Sequence, residues 1–526
     1  MATQSLINPF ADHGGIVYGD RFVGREKELA TIEQRVLGPS YGNLAIMGLP
    51  RVGKSSLAWQ GVMSYKDTLI KNNTIPIFFQ VGGCDSSRTF FKQIVILLDE
   101  ELSIVCTDSR YEKFAVPTKE AILSIIDSAE FNIQIQKYFK LVKRLGFKCI
   151  YILDEFDSVE DIFDVADFQL LRELSYNPET KICLLTCSRK TIQEIEAKNG
   201  AISNFYGTFS EIRLGMFNEE DIAQYWSRVS EYPEVSEKYK SDAVFYVGHH
   251  PYLLDVYNDY CFRNSVFDLD DVSSINKLDE IRLQLWHQFK TIQDTLSHED
   301  LLNKAIQLVL GPIYDVNRIQ EEKLLKYQFI RIVDNEHKMH VLGRLIGFST
   351  QGRTYVCFSD YFTKVFDQDH TESIDYWPLW TDTEKMIRRL IKTFICENYT
   401  ADWETEIQAK YGISQDWQNK FDGLLKTRRS SRSLFPNASN NLIDYTMSRD
   451  MYDVFMSKEW GWFGKVFPGQ KKDWAKIFTY LADIRNPIAH NNKEFISQEQ
   501  IVQATEYCDR IIRSIGEWEA KDESNG

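Results

Sequence analysis

The chain has 526 residues, 43% of them apolar and 26% charged, with a formal net charge of −15. Such a length exceeds one hydrophobic core and predicts roughly three or four folded units, and the composition excludes a disordered or fibrous protein. Strong acidity excludes a general nucleic-acid coat, because phosphate affinity comes from displacing counterions with Lys and Arg.

No stretch approaches the roughly 18 consecutive apolar residues of a membrane span. The opening MATQSLINPFADHGG lacks the basic-then-apolar layout of a signal peptide, so a cytoplasmic protein with no membrane partner is expected. Nine cysteines without a CxxC pair read as buried thiols, Cys183 and Cys187 as packing residues.

After an N-terminal arm over residues 1–20, near-continuous apolar runs alternate with helical patterns. The runs are NLAIM (43–47), TIPIFFQV (74–81), CIYILD (149–154), KICLLT (181–186) and EIRL (211–214). They predict a parallel sheet covered on both faces over 21–215. Residues 218–265 and 275–296 read as helices, giving a helical subdomain over 216–298. Over 299–368, helical LLNKAIQLVL and NRIQEEKLLKYQFI precede β-like RIVD and TYVCFSDYF around a turn at Gln351-Gly352, which suggests a winged helix. The polar stretch DQDHTESID (367–375) reads as a linker. Eight of the eleven tryptophans lie beyond it, and amphipathic helices dominate from there, predicting an all-α module over 377–520.

Gly48-Leu49-Pro50-Arg51-Val52-Gly53-Lys54-Ser55 fits the P-loop pattern GxxxxGK[ST] and sits between the strand NLAIM and the helix SSLAWQGVM. Glycines let the backbone wrap closely, so that successive N–H groups and the helix N-terminus face phosphate oxygens. Lys54 is expected to reach the β- and γ-phosphates of ATP, Ser55 to ligate Mg2+, and Ser56 to stand beside them on the phosphate side. The strand CIYILD ends in Asp154-Glu155. Asp154 is the second Mg2+ candidate, and Glu155 is the general base that polarises an attacking water.

Upstream, Phe22-Val23-Gly24-Arg25-Glu26 resembles the FVGRE element of STAND and related AAA-like ATPases. The resemblance implies that Val23, Gly24 and Arg25 lie on the adenine side. Cys187-Ser188-Arg189 is similar to the family's sensor position, which implies that Arg189 sees the γ-phosphate. Gly248-His249-His250-Pro251-Tyr252-Leu253-Leu254 resembles the GHPYLL stretch, which implies that Pro251 closes on the nucleotide. The His249-His250 pair has no further ligands at metal spacing. Over residues 7–366 the resemblance implies a switch gated by ATP and ADP. FVGRE with a winged helix also resembles replication initiators; that reading expects a basic recognition helix, whereas NRIQEEKLLKYQFI is mixed in charge.

Near the other end stands Arg485-Asn486-Pro487-Ile488-Ala489-His490, an Rx4H pattern. RNA carries its own nucleophile, the 2′-hydroxyl, so cleavage needs a group that titrates near neutrality and a fixed cation, but no metal. His490 suits proton transfer, Arg485 suits bidentate phosphate binding, and Asn486 can orient either. Residues five apart on a regular helix diverge by about 140°. Pro487 is expected to disturb that turn and bring the pair toward one cleft. RNPIAHN closely resembles HEPN ribonucleases, including those fused to ATPases in bacterial antiviral defence. This implies an RNA substrate such as tRNA or bulk RNA, a homodimer or larger homo-oligomer formed through the HEPN module, and a trigger or partner protein encoded elsewhere. An adaptor that oligomerises with nucleotide and docks another effector through a non-catalytic HEPN module is the alternative.

Between Lys410 and Lys476, twelve Lys or Arg face seven Asp or Glu, so the charge reverses locally. Lys426-Thr427-Arg428-Arg429-Ser430-Ser431-Arg432 is the densest run there. It reads either as a track for an RNA backbone or as a solvated loop after the helix SQDWQNKFDGLL. The expected fold class is thus multidomain: an α/β P-loop parallel-sheet ATPase with a helical subdomain and a winged helix, followed by an all-α HEPN domain.

Overall fold

Five short apolar segments form one sheet in the computed structural model, which describes residues 8–125, 127–197, 203–269, 275–311, 318–342, 353–370, 376–489 and 496–523. The strands are β1 (Asn43–Met47), β2 (Thr74–Gln80), β3 (Lys148–Asp154), β4 (Cys183–Ser188) and β5 (Phe209–Arg213). All pairings are parallel, in the order β2-β3-β4-β1-β5. Every residue of β1 is buried, as a strand covered on both faces requires. KICLLT is off by two residues, because β4 extends through Cys187 and Ser188, both buried.

The register decides where function can sit. Gln80 pairs with Asp154, and Met47 with both Ser188 and Arg213, and β3 pairs with β4 through Leu153 and Thr186, so the five strands finish within about a residue of one another along one edge of the sheet. Open parallel sheets place ligands outside these carboxyl ends. One face is packed by Phe90, Ile94 and Leu98 from the helix Ser87–Val105 and by Ile135 and Phe139 from the helix Ser128–Arg144. The Tyr151 hydroxyl on β3 donates to the Ile94 carbonyl at 2.8 Å, satisfying a phenol that this core would otherwise leave dry.

The chain divides into two compact units. The first holds Met1–Glu299, Lys323–Phe329 and Phe358–Phe362, and the second Asp300–Glu322, Ile330–Cys357 and Thr363–Gly526. In the first unit the sheet is followed by helices Glu219–Ser227, Glu237–Val247, Pro251–Asn264 and Ile275–His298. Asn218 caps the first of them, accepting from the N–H groups of Glu220 and Asp221, while the Asp221 carboxylate accepts from Asn218 N–H. This is the reciprocal capping arrangement that fixes a helix start.

In the second unit β6 (Ile330–Val333) and β7 (Thr354–Cys357) pair antiparallel. The expected run from strand directly to turn is corrected here: a helix, Asn335–Leu342, lies between the two strands. Asp334 starts it, its Oδ1 accepting from His337 N–H at 2.7 Å. The expected turn at Gln351-Gly352 lies outside the described residues. The linker expected from Asp367 is also corrected, since the helix Asp360–His370 takes in its first four residues.

Beyond it, the described residues 376–489 and 496–523 contain helices and connecting turns, and no strand. The tryptophans concentrated there form the core. Trp380, Trp417 and Trp474 are almost fully buried, with Trp417 donating to Val454 O at 3.0 Å and Trp474 to Pro468 O at 2.9 Å. The helix Gln415–Leu434 runs through KTRRSSR, so the loop reading of that run is corrected. Buried Trp417, Phe421 and Leu424 fasten the helix at positions that share one face.

Candidate functional site

After β1 the chain turns through Arg51 (φ 62°) and Gly53 (φ 97°). Glycine adopts this left-handed backbone without a Cβ clash. The loop then delivers Lys54 to the first position of the helix Lys54–Val62, whose opening N–H groups lack intrahelical partners. Ser55 Oγ lies 2.8 Å from both carboxylate oxygens of Asp154, at the end of β3. An alcohol and a carboxylate presented together are hard oxygen donors of the kind that Mg2+ accepts. Lys54 Nζ donates to Gly48 O at 2.9 Å and to Leu49 O at 2.8 Å. Burial pushes the Lys54 pKa down, against the raising influence of Cys187, Asp157 and Asp154.

Glu155, the residue that follows β3, adopts left-handed backbone at φ 54°. Its Oε2 lies over Gly82, where a Cβ would fall 2.2 Å away. Gln80, level with Asp154 across the sheet, lines the same cleft. Sequence reasoning missed Gln80 and Gly82; the signal was the change from apolar to polar at the end of TIPIFFQV.

A cleft of about 520 Å³ opens beside these groups, within the range of small-ligand sites. Of the expected residues, Val23, Arg25, Arg51, Val52, Gly53, Lys54, Ser55, Ser56, Asp154, Glu155 and Pro251 line it, and Gly24, Gly48, Pro50 and Arg189 do not. The arm contributes Gly14 to Val17, which no motif singled out. Val17 N–H donates to Ser56 Oγ at 2.9 Å, a contact across 39 positions that no local pattern encodes.

Arg25 borders the cleft but spends its donors on the backbone. Its guanidinium bonds to Gly215 O at 2.6 Å, Met216 O at 3.1 Å and Val52 O at 3.4 Å. It therefore ties the P-loop to the chain leaving β5. Arg189 is likewise engaged: Nε and Nη2 donate to Asp157 Oδ2 at 2.8 and 2.5 Å, and its carbonyl accepts from Tyr327 OH at 2.8 Å.

Pro251 opens the helix Pro251–Asn264, and Arg51 stacks over the ring of Tyr252 at 4.3 Å. His250 precedes it, buried, with Leu253 N–H donating to Nδ1 at 3.5 Å. Burial, followed by the nearby charges of Arg25 and Arg51, lowers its pKa to about 3, so the imidazole serves as a neutral cap. Among the described residues no group of three His, Cys, Asp or Glu could hold a metal ion.

In the second unit Arg485 sits on the helix Lys471–Ala489, with its Nε 3.7 Å from Glu384 Oε1. Glu384 is buried and also accepts from Arg388 Nη2 at 2.9 Å and Ser448 Oγ at 3.1 Å. One carboxylate thus organises two arginines, a role absent from the sequence reading; the signal was a single acid inside the amphipathic run TEKMIRRLI. The helix continues through Pro487 to Ala489 and does not stop ahead of the proline. The Asn486 side chain and His490 lie outside the described residues.

No family model matches the chain, and no curated protein matches it. Among solved structures, the Walker-type ATPase of Pyrococcus abyssi is similar at 15% identity, covering 68% of this chain and 99% of that one, with a TM-score of 0.35. The Aeropyrum pernix ORC2 protein (12% identity, 66% and 96% covered, TM-score 0.38) and Cdc6p from Pyrobaculum aerophilum (11%, 70% and 90%, 0.36) are similar in the same loose sense. At such scores the likeness adds no weight to any side chain, and the reading below rests on this chain's own geometry.

Proposed function

We propose that the chain is an ATPase switch whose nucleotide state controls a metal-independent HEPN-type ribonuclease module, in antiviral defence by RNA cleavage. The observation that carries the first half is the Ser55 hydroxyl held 2.8 Å from both oxygens of Asp154 at the foot of a P-loop. Mg2+ bound by this pair would neutralise charge on the β- and γ-phosphates. Lys54 is placed to exchange its bonds to the loop carbonyls for phosphate oxygens. Glu155 orients water, and the helix N-terminus faces the negative charge. Val23, Pro251 and the arm residues 14–17 enclose the base. A γ-phosphate that contributes contacts to one conformation alone biases a two-state molecule, which is what a switch requires.

For the second half, Arg485 is the fixed cation and His490 the proton carrier, with Asn486 orienting. Two copies of RNPIAH facing each other in a homodimer complete the cleft, and tRNA or bulk RNA is the substrate. The defence role follows from the RNPIAHN resemblance.

Purified full-length chain is expected to hold ADP or ATP, to hydrolyse ATP slowly with Mg2+, and to lose both properties in Lys54→Ala. RNA cleavage in EDTA, present in the parent and absent in His490→Ala, tests the nuclease half. Equal background cleavage by both under activating conditions would falsify it and favour the adaptor reading.

A further inference from the structure

We propose that the last three turns of the helix Gln415–Leu434, with the residue that follows, form a docking surface for single-stranded RNA. In a chain of net charge −15, no Asp or Glu occurs between Asp422 and Asp444, while Lys426, Arg428, Arg429 and Arg432 do. Arg428 is already committed: its two terminal nitrogens meet the two oxygens of Glu404, Nη2 at 2.8 Å. The other three form no ion pair with any carboxylate among the described residues; Arg432 donates to the Asn440 side chain at 2.7 Å. Elsewhere in this unit Lys392 is paired with Asp444, Lys410 with Glu459 and Lys420 with Asp453. Three cations without a carboxylate partner thus stand within one short stretch, 426–432, of a single helix.

Lys426, Arg429 and Arg432 follow one another at intervals of three. Residues so spaced are neighbours on a helix surface, and the ridge they make is about 9 Å long at 1.5 Å per residue. Favourable interaction with the helix dipole accounts for a cation in the last turn alone, and Lys426 lies two turns earlier. Immediately past Arg432, Leu434 is 71% and Phe435 65% exposed. Phe435 has extended backbone, and its N–H is held by Ser431 O at 2.8 Å, so the backbone that carries the ring is fixed at the end of the same helix. Exposed Ser430 and Ser433 interleave with the ridge, as does Thr427, whose hydroxyl donates to Gly423 O at 3.0 Å.

Cations and hydroxyls for phosphate oxygens, with an open aromatic face for a base, are the combination by which single strands are held. A duplex hides its base faces from such a ring. The proposal deepens the ribonuclease reading and rests on it for the choice of RNA over single-stranded DNA.

The test uses the full-length chain carrying His490→Ala, so that the strand is not cut, and a fluorescent 20-nucleotide RNA of mixed sequence in EDTA. Anisotropy is followed over a salt series. Adding Lys426→Ala, Arg429→Ala and Arg432→Ala together is expected to weaken binding roughly a hundredfold at low salt. The same triple change should reduce the log–log salt slope by about 2, at about 0.7 per phosphate released. Phe435→Ala is expected to weaken binding roughly tenfold with the slope unchanged. All four side chains are solvent-facing, so melting temperatures should stay at the parent value.

Parent-like affinity in both variants overturns the proposal, as does capture of polyglutamate with no binding of RNA. Equal binding of DNA of the same sequence overturns the choice of polymer. The nuclease reading fails separately: a strand that docks on the ridge but is never cut by the His490-containing chain refutes that reading and leaves this one standing.

Discussion

Glu155 and Gly82 share a space that only a hydrogen atom on the glycine leaves open, since a Cβ there would fall 2.2 Å from Glu155 Oε2. The crowded atom is the end of a flexible side chain, so an added methyl moves the carboxylate and leaves the backbone in place. Gly82→Ala is therefore expected to melt at the parent temperature and bind nucleotide normally, yet hydrolyse ATP roughly a hundredfold more slowly, the scale of a displaced general base. Steady-state turnover beside nucleotide titration checks this; parent-like turnover would show that Glu155 does not act from this position.

Arg25 is expected to matter for stability more than for base recognition. Its guanidinium serves carbonyls of Gly215, Met216 and Val52 while 5% exposed, and Asp221 faces it at 3.9 Å. Arg25→Ala leaves these acceptors and a buried carboxylate behind, at a cost of about 3 kcal/mol. Arg25→Lys should recover little, because an ammonium cannot reach three carbonyls in the plane of a fork. Chemical denaturation of each variant with and without nucleotide gives the measurement.

Asp509 sets an expectation for pH. Burial raises its pKa to about 7, opposed by Arg513 and Lys338, and neither carboxylate oxygen has a hydrogen-bond partner among the described residues. The folded state therefore holds a proton that the unfolded chain releases near pH 4. Stability from this group is fully present below pH 4 and is lost as the pH rises toward 7. Thermal melts of the parent should lose more between pH 5 and 7 than those of Asp509→Asn; parallel profiles would remove Asp509 from the account.

Glu384→Gln keeps a hydrogen-bonding shape but removes the charge beside Arg485 and Arg388. If Arg485 grips phosphate, the change should lower RNA cleavage at least tenfold while the Ser448 contact persists. Cleavage measured in EDTA at several salt concentrations distinguishes a misplaced arginine from weaker docking, because only docking changes the salt slope.

The parts of the molecule that a sequence announces are those in which neighbours along the chain do the work. β1, the loop and the helix at Lys54 are contiguous, so pattern and geometry coincide, and Asp154 closes the site from the end of an apolar run. The arm at Gly14 to Val17 and the bond from Val17 to Ser56 are tertiary facts with no periodic signature. The helix Asn335–Leu342 was hidden because Asp334-Asn335 reads as a turn until Asp334 is seen capping His337. KTRRSSR has loop-like residues and is helical because Trp417, Phe421 and Leu424 anchor the turns before it and Glu404 holds Arg428. At the RNPIAH segment the pattern raises only an expectation of chemistry, while the Glu384 contact to Arg485 comes from more than a hundred positions away, where no spacing rule could select it.

The wall formed by Gly14 to Val17 has a practical corollary. Because Val17 is fastened to Ser56 by one hydrogen bond and Arg21 follows it at a cleft-lining position, cutting the backbone after Arg21 would leave the sheet folded but the chamber open on one side. Protection of that bond from trypsin then becomes a direct gauge of whether the chamber is filled.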